Sequence, residues 1–127
     1  MSTGFIFLLM IFLHIIDDFC LQQFSLANLK QRSFWKKNAP DDIYESDYIM
    51  ALGIHAFSWA FMIMLPVAMY LSFDIEFDYF IVLLVNMVIH ATVDDLKANH
   101  KKLNLVQDQT IHLMQIFFTF MYMIGGR

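Results

Sequence analysis

The chain has 127 residues, 59% of them hydrophobic, 17% aromatic and only 16% charged, with a formal net charge of -4. Soluble domains carry about 45–50% apolar and about 25% charged residues, so this composition argues against a soluble enzyme or a disordered tail, and the acidic balance argues against a nucleic-acid binder with a broad basic face. The single cysteine, Cys20, rules out a framework of internal disulfides and is read as a packing residue. What remains is one small integral membrane domain over residues 1–127, with a mean hydropathy of +0.56.

Four apolar stretches approach the about 20 residues that cross a bilayer. They run from Gly4 to Phe24, Tyr48 to Phe73, Tyr79 to Asp95 and Gln107 to Ile124. The expected fold is therefore all-α, a bundle of four transmembrane helices. His and Asp near one end of the first, third and fourth stretches lower their hydropathy. The first stretch does not read as a signal peptide: no basic residue precedes it, and His14, Asp17 and Asp18 interrupt the region where a cleavage site would lie. Pro66 is expected to kink the second span, which membrane helices tolerate.

Between the first two spans, Ser25 to Lys37 mixes Leu26, Leu29, Phe34 and Trp35 with Lys30, Arg32, Lys36 and Lys37. It reads as a short interfacial helix with its basic side toward lipid headgroups, or equally as a solvated loop. The interfacial helix is the form carried into the expected fold. Orientation follows Lys and Arg rather than acids. The first connection is basic, and so is the third, with Lys97, Lys101 and Lys102; the second carries only Asp74, Glu76 and Asp78. The basic connections should face the cytoplasm, leaving both termini on the outer side.

Each span carries one histidine: His14, His55, His90 and His112. Three have an aspartate four residues away, in the pairs His14–Asp18, His90–Asp94 and Asp108–His112. That spacing puts both side chains on one helix face. Because the helices alternate in direction, all seven groups fall in the cytoplasmic half of the membrane. Each costs roughly 2.5–3.5 kcal/mol on insertion unless it meets a partner, water or a metal. A lone His or Asp in a span is often just a helix–helix hydrogen-bonding partner. Seven at one depth point instead to a metal or catalytic site. Imidazole with carboxylate suits zinc first, and iron or manganese as well. The candidate ligands are His14, Asp18, His55, His90, Asp94, Asp108 and His112, enough for one metal or for two about 3.5–4 Å apart. A carboxylate outside the ligand set, Asp18 or Asp94, would act as general base. Lys97 would hold an anionic substrate group, pair with Asp94, or snorkel to the interface.

The ordered motifs are His14-x-x-x-Asp18-Phe19-x-Leu21-Gln22, Lys36-Lys37, His55 opening a span, His90-x-x-x-Asp94-x-x-Lys97, and Asp108-Gln109-x-x-His112. In this order the chain resembles, over nearly its whole length, the domain-of-unknown-function 3307 family of small bacterial and phage membrane proteins. Asp17 stands where that family usually has glycine. The resemblance implies a polytopic protein of a bacterial inner membrane and brings no assigned activity. The pattern is loosely similar to membrane-bound metal-dependent hydrolases, which also place His and Asp near span ends.

The leading expectation is a metal-dependent hydrolase acting on a lipid or lipid-linked substrate, with the bilayer as its surroundings and no nucleic-acid partner. The alternatives are a metal-ion or proton transporter or channel, and a non-catalytic membrane interaction protein. A homo-oligomer stays open. Beyond Gln115 the outer half of span four offers only Thr119 and Tyr122 as polar groups, which favours a site over a path.

Overall fold

The first helix, α1 (Thr3–Ile15), starts at Ser2, whose hydroxyl accepts a hydrogen bond from the Phe5 N–H at 3.3 Å. The structure is a computed structural model and describes residues 1–22 and 24–126. α1 runs on as a π turn over Ile16–Leu21, marked by the Gln22 N–H donating to the Asp17 carbonyl, five residues back, at 3.0 Å. Two short helices follow, α2 (Phe24–Leu29) and α3 (Arg32–Asn38), and then a 3-10 turn at Asp42–Tyr44. The long helices are α4 (Asp47–Tyr70) and α5 (Phe77–Ala98). α6 (Leu105–Phe120) ends in a second π turn, Met121–Gly125.

Three stretches are long and apolar enough to cross a membrane: Thr3–Leu21, Asp42–Tyr70 and Phe77–Ala98. α6 is the fourth, C-terminal helix, and its early turns carry Asp108, His112 and Gln115, which dilute its hydropathy. It begins two residues before the expected Gln107 because Asn104 and Gln107 form a reciprocal capping box. The Asn104 side chain accepts from the Gln107 N–H at 2.9 Å, and the Gln107 side chain accepts from the Asn104 N–H at 3.1 Å. Asn104→Ala is expected to lower stability by about 0.5–2 kcal/mol, read from unfolding in mild detergent. α4 continues past Pro66 to Tyr70 as one helix.

The expected single helix over Ser25–Lys37 is corrected to two. The chain breaks at Gln31 (φ -96, ψ 121) because Lys30 turns inward and is buried, instead of facing headgroups. One side chain satisfies the backbone groups freed by the break. Asn99 Nδ2 donates to the Lys30 carbonyl at 3.0 Å, and Asn99 Oδ1 accepts from the Arg32 N–H at 2.7 Å.

α4 packs against α1 on one side and α5 on the other, with α6 against α5 and α1. The interior has two storeys. One is apolar, built on Ile6, Met10, Ile63, Met64, Val67, Ile116 and Met123. The other holds the polar residues. The outside is apolar too: Phe5, Leu8, Phe12, Ile15 and Phe19 form an exposed stripe on α1, and Phe80, Leu84, Val88, Phe117 and Phe118 line α5 and α6. Soluble monomers rarely expose contiguous apolar patches beyond a few hundred Å². Apolar outside and polar within is the arrangement that lipid favours.

Candidate metal centre

The polar storey is built where α1, α4, α5 and α6 present their His and Asp residues to one another. The π turn matters here. In a regular α-helix, neighbouring residues diverge around the axis, but the wider turn lets both Asp17 and Asp18 point inward. Asp17 Oδ1 accepts from the Ser58 hydroxyl on α4 at 2.6 Å. Asp18 reaches further: its Oδ2 accepts from Gln109 Nε2 on α6 at 3.0 Å, and its Oδ1 lies 3.3 Å from His55 Nε2.

Three ligand atoms from three helices converge. His55 Nε2 lies 3.1 Å from His90 Nε2 and 3.3 Å from Asp18 Oδ1, and His90 Nε2 lies 3.9 Å from that same oxygen. Donors placed about 2.0–2.2 Å from a tetrahedral metal stand about 3.3–3.5 Å apart, so these three atoms outline one face of such a site. Asp18 Oδ1 is buried and, like Asp17 Oδ2 and Asp108 Oδ1, has no hydrogen-bond partner among the described residues; its near neighbours are the two imidazole nitrogens of that face. Asp94 Oδ2 lies 3.4 Å from His55 Nε2 and 3.7 Å from His90 Nε2, beside the position a fourth ligand would take. Asp18, His55 and His90 form one group that could hold a metal, and His90, Asp94 and His112 form a second. His90 belongs to both: its Nδ1 sits 3.1 Å from His112 Nδ1.

Charge balance points the same way. The side chains of Asp17, Asp18, Asp94 and Asp108 are all under 8% exposed. Two ammonium groups face them: Lys30 Nζ 2.6 Å from Asp94 Oδ2, and Lys97 Nζ 2.8 Å from Asp108 Oδ2. The surplus negative charge is what one divalent cation, or two imidazolium rings, would neutralise.

The outer groups orient the inner ones. Asp17 Oδ2 lies 3.6 Å from His55 Nδ1. His112 Nε2 lies 3.3 Å from Asp94 Oδ1 and 3.4 Å from Asp108 Oδ1, and its Nδ1 lies 3.1 Å from Gln115 Oε1. Gln115 Nε2 in turn donates to the Asn86 carbonyl at 3.2 Å, and Asn86 Nδ2 donates to Thr119 Oγ1 at 2.8 Å.

His14 belongs to neither ligand group, although its Nδ1 lies 3.7 Å from Asp18 Oδ2. Its Nδ1 accepts from the Trp59 indole N–H at 2.7 Å, so its Nε2 carries the proton and donates to Gln109 Oε1 at 3.1 Å. Both ring nitrogens are engaged by protein. Asp108 binds Lys97 and Gln109 through Oδ2 and pairs with His112 through Oδ1. Lys97 pairs with Asp108 on the next helix, and Asp94 is taken by Lys30 instead. Sequence reasoning missed two residues. Lys30 lies 64 positions from Asp94, and no local spacing links them. Trp59 stacks on His90 with ring centroids 4.2 Å apart, and in the sequence it is one more aromatic in an apolar span. Cys20 is exposed and makes no part of the site.

The buried His and Asp groups thus sit inside a helical bundle with candidate membrane spans, at spacings that could hold a metal. The chain matches no known family, no curated protein and no solved structure.

Proposed function

We propose that the protein is a membrane-embedded metal-dependent hydrolase whose four helices, α1, α4, α5 and α6, cross the bilayer, with the basic connections on the cytoplasmic side. The observation that carries this reading is the meeting of Asp18, His55 and His90 at ligand spacing, with the buried Asp18 oxygen making no hydrogen bond and Asp94 beside the open position. Three protein ligands with a fourth position left open is the pattern of catalytic rather than structural zinc. The same donors suit iron or manganese.

Asp18 Oδ1, His55 Nε2 and His90 Nε2 would hold the ion. Asp17 Oδ2, at 3.6 Å from His55 Nδ1, is beyond hydrogen-bond distance, but its charge favours the Nδ1–H tautomer that leaves Nε2 for the ion. When bound, a divalent ion supplies Lewis acidity and an acidified water. Asp94 is the general base: it takes a proton from the attacking water at Oδ2 and returns it to the leaving group as the substrate bond breaks. Lys30 and His112 hold the two oxygens of that carboxylate in place. The substrate is a membrane-associated molecule reaching the site from the cytoplasmic leaflet.

A transporter would need polar groups through the other storey. There Ile6, Met10, Ile63, Met64, Val67 and Ile116 are fully buried and close the interior, which favours a site over a path. A second metal is the one variation with specific support, because His90 offers one ring nitrogen toward His55 and the other toward His112.

Elemental analysis of protein purified in mild detergent without chelator tests the proposal. Expected are one or two transition-metal ions per chain, absent in His90→Ala, together with chelator-sensitive hydrolysis. A folded wild-type protein that holds no metal after incubation with zinc, iron or manganese would sink it.

A further inference from the structure

Beside the metal centre, between α2 and the end of α5, lies a cleft of about 330 Å³ whose lining includes Gln22, Gln31, Lys30, Asp94, Lys97 and Lys101. Its size falls at the small end of ligand pockets, which run about 300–1,000 Å³. The floor is Asp94, the carboxylate next to His55 and His90. Around it stand three lysines. Lys30 is buried, with its ammonium 2.6 Å from Asp94 Oδ2. The Gln22 amide, turned so that its oxygen faces Lys30, accepts from the same ammonium at 2.5 Å. Lys97 is 38% exposed and anchored on Asp108. Lys101 sits at φ 53 in the turn after α5, held by the Lys102 N–H donating to the Leu96 carbonyl at 2.9 Å. Lys101 is exposed and forms no ion pair among the described residues.

Burying an ammonium costs several kcal/mol unless it is paired, and Lys30 meets that cost through Asp94 and the Gln22 oxygen. Lys30 and Lys97 are paired with Asp94 and Asp108, so Lys101 is the ammonium left at the mouth to meet an incoming anion. A phosphate ester offers more acceptor oxygens than a carboxylate does, and lysine binds it as a point charge without demanding a planar, two-pronged fit. We propose that this cleft seats the phosphate group of a phosphate ester substrate and holds it against Asp94 and the His55–His90 pair. This inference rests on the hydrolase reading and names its substrate class. The ester comes either from a lipid headgroup or from a soluble metabolite.

The test is calorimetric titration of the zinc-loaded protein in maltoside detergent with inorganic phosphate and with glycerol 3-phosphate, metal content being measured in every sample. A parallel arm uses phosphatidylcholine nanodiscs with and without phosphatidic acid. Saturable phosphate binding is expected, weakened about tenfold in Lys101→Gln and further in Lys101→Glu, at unchanged metal content. Loss of phosphate binding in the phosphatidic acid discs assigns the site to a lipid headgroup; unchanged binding assigns it to a soluble ester. A metal-loaded protein with no saturable phosphate binding, or with the same affinity in both Lys101 variants, overturns the inference and leaves the metal centre standing. A protein that takes up no metal overturns the functional reading instead, and the Lys101 comparison then still decides whether the cleft is an anion site.

Discussion

Replacing Lys30 with methionine is expected to destabilise the folded protein by about 3–5 kcal/mol, the usual cost of stripping one partner from a buried ion pair. The Lys30 and Asp94 side chains are 8% and 7% exposed, and their 2.6 Å contact joins the first connection to the end of α5. Without the ammonium, Asp94 Oδ2 is left as a buried carboxylate oxygen beside two histidines. The double variant Lys30→Met/Asp94→Leu is expected to recover most of the loss, since a well-packed apolar pair can replace a buried salt bridge at little cost. Arg32→Gln supplies the contrast. Its pair with Glu45 is 46% and 59% exposed, and losing it should cost no more than about 0.2–1 kcal/mol. Unfolding in a detergent series measures all three. A Lys30→Met effect as small as that of Arg32→Gln would show that Asp94 does not depend on the Lys30 ammonium for its stability in the fold.

The second large effect is a graded loss of metal across a set of variants. His90→Ala removes a residue shared by both candidate groups and should abolish binding. Asp17→Asn leaves all the candidate ligands in place but removes the carboxylate charge 3.6 Å from His55 Nδ1, and should weaken binding about 10–100-fold. His14→Phe removes a ring whose two nitrogens are already engaged by Trp59 and Gln109, so metal affinity should change least of the three. Competition with a chromogenic chelator ranks them. If His14→Phe proved as damaging as His90→Ala, His14 would be a ligand and its hydrogen bonds would have to rearrange on binding.

Which parts of this were legible in the sequence follows from what is local. The spacing of His90 to Asp94 and of Asp108 to His112 forces each pair onto one face, and in the fold they lie 3.7 Å and 3.4 Å apart. The three long apolar helices could be read from hydropathy, and α6 was weaker for a visible reason. The rest depends on partners far along the chain. His14 has the same one-turn aspartate as His90, and nothing within α1 shows that Trp59 and Gln109 will take up its ring. Ser25 to Lys37 has the composition of an interfacial helix. Only Asp94 on α5 and Asn99 just beyond its end turn it into two helices with a buried lysine at the join. The π turn at Ile16–Leu21 leaves no local mark either, yet it is what lets two adjacent aspartates face inward.

The stripe of Asp108, His112, Gln115 and Thr119 along the buried side of α6 bears on how the protein is made. These polar groups keep α6 out of the set of three helices long and apolar enough to cross a membrane. α6 therefore gains little from entering lipid by itself, and gains its place only when α1 and α5 are there to receive its polar edge. The other three long helices are each long and apolar enough to enter a membrane singly. If α6 crosses the bilayer as proposed, it depends on its neighbours to do so, and completing the topology would coincide with assembling the polar centre.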